Sequence, residues 1–430
     1  MARKIVSTKT NISLLVGIKR LNSCKRRDNL PAHHDKSPRP PATGYDSAVM
    51  DRQTIPDRRS VRILLVLVIL LILYGSLYPF RFTASRRTFF VFALPGGLSS
   101  IRDIAINLFL YFPAGFLFFH ALGDQIRRGR RFVFALACSC LLSASIEAMQ
   151  AYDLGRVSST VDLLVNVAGA FCGAAAARVF RFVPGARFPV TRWFQRDPRA
   201  FLLLALLVAA HLFPFFPRVH IPQYQAAWSK LLALAFDPTL VLLFTLEWLA
   251  ARLLLCSILG RSNVTLEFAC LLLVIPAEFG IVDQFPVLTE LAGALLALAI
   301  GAWWHPQPRR FAIWLMLDLI LRDLSPFYWS ATAQSFHWIP FAGFFEMIPL
   351  SVGLLLSKCY LYGSMLWVLD PERRYGWKAD LTAALLLFCL ELVQQHLPGR
   401  TPEITDAVLA LLLGRTMSLF PPPDQDALIS

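Results

Sequence analysis

The chain predicts an all-α polytopic transmembrane bundle of about twelve helices, built as three tandem four-helix units. Three observations lead there. First, only 16% of its 430 residues are charged and 56% are hydrophobic, with mean hydropathy +0.54, whereas a soluble domain carries about 25% charged residues. Second, apolar stretches long enough to cross a bilayer as helix recur, among them "RILLVLVILLILYGSLYPF" (62–80), "FVFALACSCLLSASIEAMQ" (132–150) and "FLLLALLVAAHLFPFFP" (201–217). Third, strands of alternating hydrophobicity are absent, which excludes a β-barrel.

Residues 1–60 are polar, basic and rich in Pro and Ser, and read as a disordered cytoplasmic tail. No apolar region before a small-residue cleavage site marks a signal peptide there, so the first membrane helix is expected to serve as an uncleaved anchor.

The units follow from a repeated helix ending. Pro-Phe closes a hydrophobic stretch at Pro79-Phe80, Pro214-Phe215 and Pro326-Phe327, and each is followed 64 to 68 residues later by Glu147, Glu278 or Glu391. The expected units are 61–182, 200–304 and 309–420, with 421–430 as a second cytoplasmic tail.

Charge sets the expected threading. The net charge of +14 would suggest nucleic acid in a soluble protein. Here the basic residues lie between hydrophobic helices, in "QIRRGRRF" (125–132), 177–199, Arg261, "HPQPRR" (305–310) and "PERRYGWK" (371–378), so no nucleic-acid partner is expected. Cytoplasmic loops carry excess Lys and Arg. This puts both termini in the cytoplasm, with Arg81, Arg86 and Arg87 of the first outer loop as the exception.

That threading carries a polar cluster to the outer leaflet. "EAMQAYDLGRVSSTVD" (147–162) supplies Glu147, Gln150, Arg156 and Asp162, and "ELVQQHLPGRTPEITD" (391–406) repeats the types and spacing with Glu391, Gln394, Arg400 and Asp406. Glu147 and Gln150 are three apart and share a helix face. Asp162, Asn166, Gly169 and Gly173 step 4, 3 and 4 along one stripe, whose glycines admit a close neighbour. Asp103 and Asn107, four apart in the preceding helix, bring a third helix to the same depth.

The pattern D-x3-N-x5-P-x-G (Asp103, Asn107, Pro113, Gly115) followed by E-x2-Q-x5-R-x5-D-x3-N-x2-G-x3-G (Glu147 to Gly173), with "LYGSLYPF" ahead of it, resembles the VanZ-like family of bacterial membrane proteins. The resemblance covers about 61–182. The third unit shares E-x2-Q-x5-R-x5-D, and "FHWIPFAGFF" (336–345) echoes "YFPAGFLFF". It departs at Ala410 and Met417, where Asn166 and the last glycine would be matched. The middle unit has Glu278 and Glu290 without an arginine between them and reads as scaffold. The resemblance implies a protein of the bacterial inner membrane and cell envelope, and brings no established reaction with it.

Two roles suit the cluster. As a clamp, Arg156 would neutralise Glu147 and Asp162 at a helix interface, where such hydrogen bonds average about 0.6 kcal/mol. As a site, the same residues with Asn166 would bind the polar headgroup of a membrane lipid or lipid-linked envelope precursor, arginine suiting phosphate. Other classes are a membrane hydrolase or transferase with Glu147 as base, and a transporter, for which charges at one face rather than the midplane are unfavourable.

The remaining features point to packing. His120, His211 and His337 stand singly, and seven of eight cysteines lie in apolar segments without a CxxC pair, so no metal set, disulfide or cofactor is expected. Walker, GxGxxG and GxSxG patterns are absent. The proline in "LAFDPTLVLL" (234–243) is expected to mark a kink or re-entry, and Glu247 and Arg252, five apart, do not stack.

Overall fold

The fold is taken from a computed structural model. It describes residues 58–84, 98–123, 125–154, 158–179, 189–232, 237–260, 264–281, 288–304, 307–325, 327–346 and 348–422, so both tails lie outside the described residues. Every regular element among these is helical: α1 (Arg58–Leu77), α2 (Leu98–Ala121), α3 (Arg128–Gln150), α4 (Thr160–Val179), α5 (Pro189–Arg196), α6 (Pro198–Leu212), α7 (Ile221–Leu232), α8 (Pro238–Leu259), α9 (Val264–Phe279), α10 (Leu288–Trp303), α11 (Pro308–Leu324), α12 (Ala342–Glu346), α13 (Ile348–Leu369), α14 (Trp377–Gln394) and α15 (Thr405–Ser418).

Six of the described helices are long and apolar enough to cross a membrane: α1, α2 (counted from Asp103), α3, α4, α8 and α13 (from Val352). They are not equivalent. In α8 and α13 the apolar window is 72% and 56% buried, against 17% to 33% in α1 to α4. A helix that is apolar all round and buried all round occupies the centre of a bundle. The main core accordingly joins α6, α8, α9, α10, α11, α13, α14 and α15, around Leu254, Tyr360, Met365 and Leu366. Helices α1 to α4 build a smaller core of their own around Ile72, Tyr111, Ala114 and Ile146. They meet the rest through Ala105, Ala209, Phe213 and Leu356, and through the Tyr74 hydroxyl, which donates to the Pro340 carbonyl at 2.6 Å. Val66, Leu70, Val133, Leu141, Leu164 and Phe171 remain exposed on α1, α3 and α4, a surface suited to lipid.

Local chemistry explains several boundaries. Asp197 accepts from Arg199 N and Ala200 N at 3.1 Å, with Pro198 as the first residue of α6. Its other oxygen accepts from Ser257 Oγ at 2.7 Å and Trp367 Nε1 at 3.0 Å, so one buried cap joins α6, α8 and α13. Asp237 and Pro238 open α8 in the same manner, Asp237 accepting from Thr239 N at 2.8 Å. Pro238 therefore marks a helix start and not the expected kink or re-entry: proline has no N–H to lose at the first helical position.

The Pro-Phe endings share one conformation. Phe80, Phe215 and Phe327 have φ of 62°, 65° and 59°, and their amides donate to the carbonyls of Leu77, Leu212 and Leu324 at 2.8, 2.6 and 2.8 Å. A left-handed, non-glycine residue is uncommon, and here it ends a helix each time. Just beyond lie three isolated bridges, Phe82 with Asp153, Pro217 with Ile281 and His337 with Glu403. They tie the segments following α1, α6 and α11 to those following α3, α9 and α14, so each pair of helices ends at a common face.

Candidate functional site

In the first unit the polar residues are drawn together from four helices. Glu147 sits in the last turn of α3, is 2% exposed, and its Oε2 accepts from Ser159 N at 2.7 Å. That amide stands at the start of α4, where backbone donors lack partners within the helix. Gln150 Nε2 donates to the Ser76 carbonyl at 2.8 Å, fixing α3 to the end of α1. Asn107 Nδ2 of α2 donates to Asp162 Oδ1 of α4 at 3.3 Å, and Asn166 Nδ2 to Ser143 Oγ of α3 at 2.9 Å. Asp103, one turn before Asn107, is exposed, and Asn107 and Asp162 are half-buried. Arg156 lies outside the described residues.

The glycine stripe does what its spacing predicts. A Cβ added at Gly169 would lie 2.4 Å from the Leu108 carbonyl oxygen, and one at Gly173 would lie 1.9 Å from that of Phe112. From the opposite helix, a Cβ at Gly115 would lie 2.1 Å from the Ala170 carbonyl oxygen. Helices α2 and α4 therefore touch backbone to backbone, which holds Asn107 against Asp162.

Residues 391–406 show part of the same geometry. Glu391 Oε2 accepts from Glu403 N at 2.9 Å, twelve residues on, as Glu147 does from Ser159. Gln394 is buried. Asp406, 1% exposed, accepts from Lys358 Nζ at 2.6 and 2.8 Å and from the Tyr362 hydroxyl at 2.6 Å, both on α13. The cation that meets the acid is thus a lysine of another helix, not Arg400. Arg400 Nε instead donates to the Ser325 carbonyl at 2.8 Å and its Nη2 to that of Arg322, at the end of α11. Those carbonyls have no helical donor, and a positive charge suits a helix C-terminus. Of the segment "FAGFF", Ala342 to Phe345 fall in α12, ahead of α13, and Phe341 precedes it, whereas Pro113 and Gly115 lie within α2. Glu403, in the loop before α15, also accepts from Gly343 N at 3.3 Å, and burial holds its carboxyl above the usual range.

His211 near the end of α6 does not pack alone: its Nδ1 contacts Glu278 of α9 and lies 3.4 Å from Glu290 Oε1 of α10. One ligand atom from each of the three residues lies within 4.8 Å of the others. The signal in the sequence was the twelve-residue step from Glu278 to Glu290, equal to that from Glu147 to Ser159. Glu247 and Arg252 also have roles, on different partners: Glu247 meets Arg322 of α11 at 2.9 Å, and Arg252 meets Glu267 of α9 at 2.7 Å. No disulfide joins the seven described cysteines.

Helices of spanning length with buried charged cores and apolar outer faces define an integral, multi-pass membrane protein. Residues 61–181 match the VanZ/LLP1 family model, so the first unit is VanZ-like, as its motifs predict. No curated protein and no solved structure matches the chain.

Proposed function

We propose that the chain is a protein of the bacterial inner membrane whose VanZ-like unit binds the polar headgroup of a lipid or lipid-linked envelope precursor at the outer leaflet. One observation carries this reading: Asp103, Asn107 and Asp162 keep partial exposure on a tightly packed helix pair, beside a helix whose last turn holds a buried Glu147 bonded to the Ser159 amide. Carboxylate and amide groups held on a rigid helix pair could accept from and donate to the hydroxyl or amine groups of a headgroup.

Lipids retained by the purified chain should change when the shelf is altered. In Asp162→Asn, one headgroup class is expected to fall about tenfold, the loss of a charged hydrogen bond. Retention of every class at the original level, measured by mass spectrometry of extracted lipid, would reject the reading. The outer-leaflet position has its own test. Leu154→Cys should react with an impermeant thiol reagent from outside in whole cells, and Arg128→Cys only after permeabilisation. The reverse pattern would put the shelf in the cytoplasm.

A further inference from the structure

We infer that His211, Glu278 and Glu290 form a binding site for a divalent transition-metal ion. The site lies in the middle unit and is independent of the headgroup shelf proposed above.

Several core carboxylates meet guanidinium or ammonium groups: Glu247 with Arg322, Glu267 with Arg252, Asp380 with Arg373 and Asp406 with Lys358. Here two carboxylates, 3% and 5% exposed, converge on a single imidazole. Leaving an excess negative charge in a membrane interior is costly. A divalent ion with a neutral histidine brings the set to zero net charge.

One separation fits an ion: ligands about 2.0–2.1 Å from a tetrahedral ion sit about 3.3 Å apart, and Nδ1 of His211 lies 3.4 Å from Glu290 Oε1, whereas the same nitrogen meets Glu278 directly, a contact that an ion between them would open. The Glu290 oxygen is buried and makes no hydrogen bond, although it is aimed into the cluster. The three residues come from three helices, near the ends of α6 and α9 and the start of α10, so the set is held by the fold and not by a loop. One edge is open, since the His211 side chain keeps 12% exposure. A nitrogen with two carboxylate oxygens suits Zn²⁺, Mn²⁺, Fe²⁺ or Co²⁺ and disfavours Mg²⁺ and Ca²⁺, which prefer oxygen alone.

The test uses the full chain in detergent, stripped with chelator and titrated with Co²⁺ and then Zn²⁺. Wild type is expected to bind Co²⁺ with weak visible bands of nitrogen and oxygen coordination, and Zn²⁺ is expected to displace it. Glu290→Gln and Glu278→Gln keep side-chain size and should each weaken binding by about 100-fold or more, because even outer-shell partners contribute 10–100-fold. Absence of binding at micromolar metal would overturn the assignment. So would thiolate charge-transfer bands, which would mark the cysteines as ligands, or wild-type affinity in either glutamine variant.

Discussion

Leucine at Gly173 is expected to cost more than any other single change in the first unit. A Cβ there would lie 1.9 Å from the Phe112 carbonyl oxygen and 3.0 Å from Phe116 N, and both are backbone atoms. No side-chain rotation relieves such a contact, so α2 must move away from α4. Overpacking of a close interface costs about 1–3 kcal/mol when side chains can adjust, and this case falls at or above the upper end. The separation would also pull Asn107 from Asp162, so the headgroup shelf should be lost together with stability. Gly129→Leu is the control: nothing lies within 4 Å of its Cβ position, and a surface change of that kind stays within about 0.5 kcal/mol. Thermal unfolding in detergent, followed by size-exclusion chromatography, distinguishes the two. An unchanged midpoint for Gly173→Leu would mean that the helices do not touch as described.

Removing Lys358 is the second large effect. Asp406 is 1% exposed, and its two oxygens are held by the Lys358 ammonium and the Tyr362 hydroxyl. Lys358→Met leaves a buried carboxylate with one neutral donor. Breaking a buried pair from one side costs about 3–5 kcal/mol, whereas replacing both partners with apolar groups is often neutral. The expected result is therefore a sharp loss of folded protein in Lys358→Met and recovery of most of it in Lys358→Met with Asp406→Leu. Equal stability of the single and double variants would show that the pair contributes nothing beyond packing.

The glycine stripe and the lysine illustrate two levels of legibility. Steps of 4, 3 and 4 place Asp162, Asn166, Gly169 and Gly173 on one side of a helix whatever that helix meets, so the close approach could be read in advance. Lys358 could not be read that way, because its pairing with Asp406 depends on α13 crossing α15. The same limit misled the reading of Arg400. Its spacing from Glu391 and Asp406 matches that of Arg156 from Glu147 and Asp162, yet the guanidinium turns to the carbonyls closing α11. His211 stood alone in the sequence because its partners lie 67 and 79 residues away.

By itself the sequence determined the membrane class, the Pro-Phe endings and the VanZ-like motif of residues 61–181. These depend on composition, period and nearest-neighbour sterics, which are local properties of the chain. Only the tertiary structure decided which helices are central, which cation meets which carboxylate, and that the middle unit gathers a histidine and two glutamates. A charge in a low-dielectric interior is stabilised by whatever partner the packing brings within a few ångströms, and no spacing along the chain specifies that.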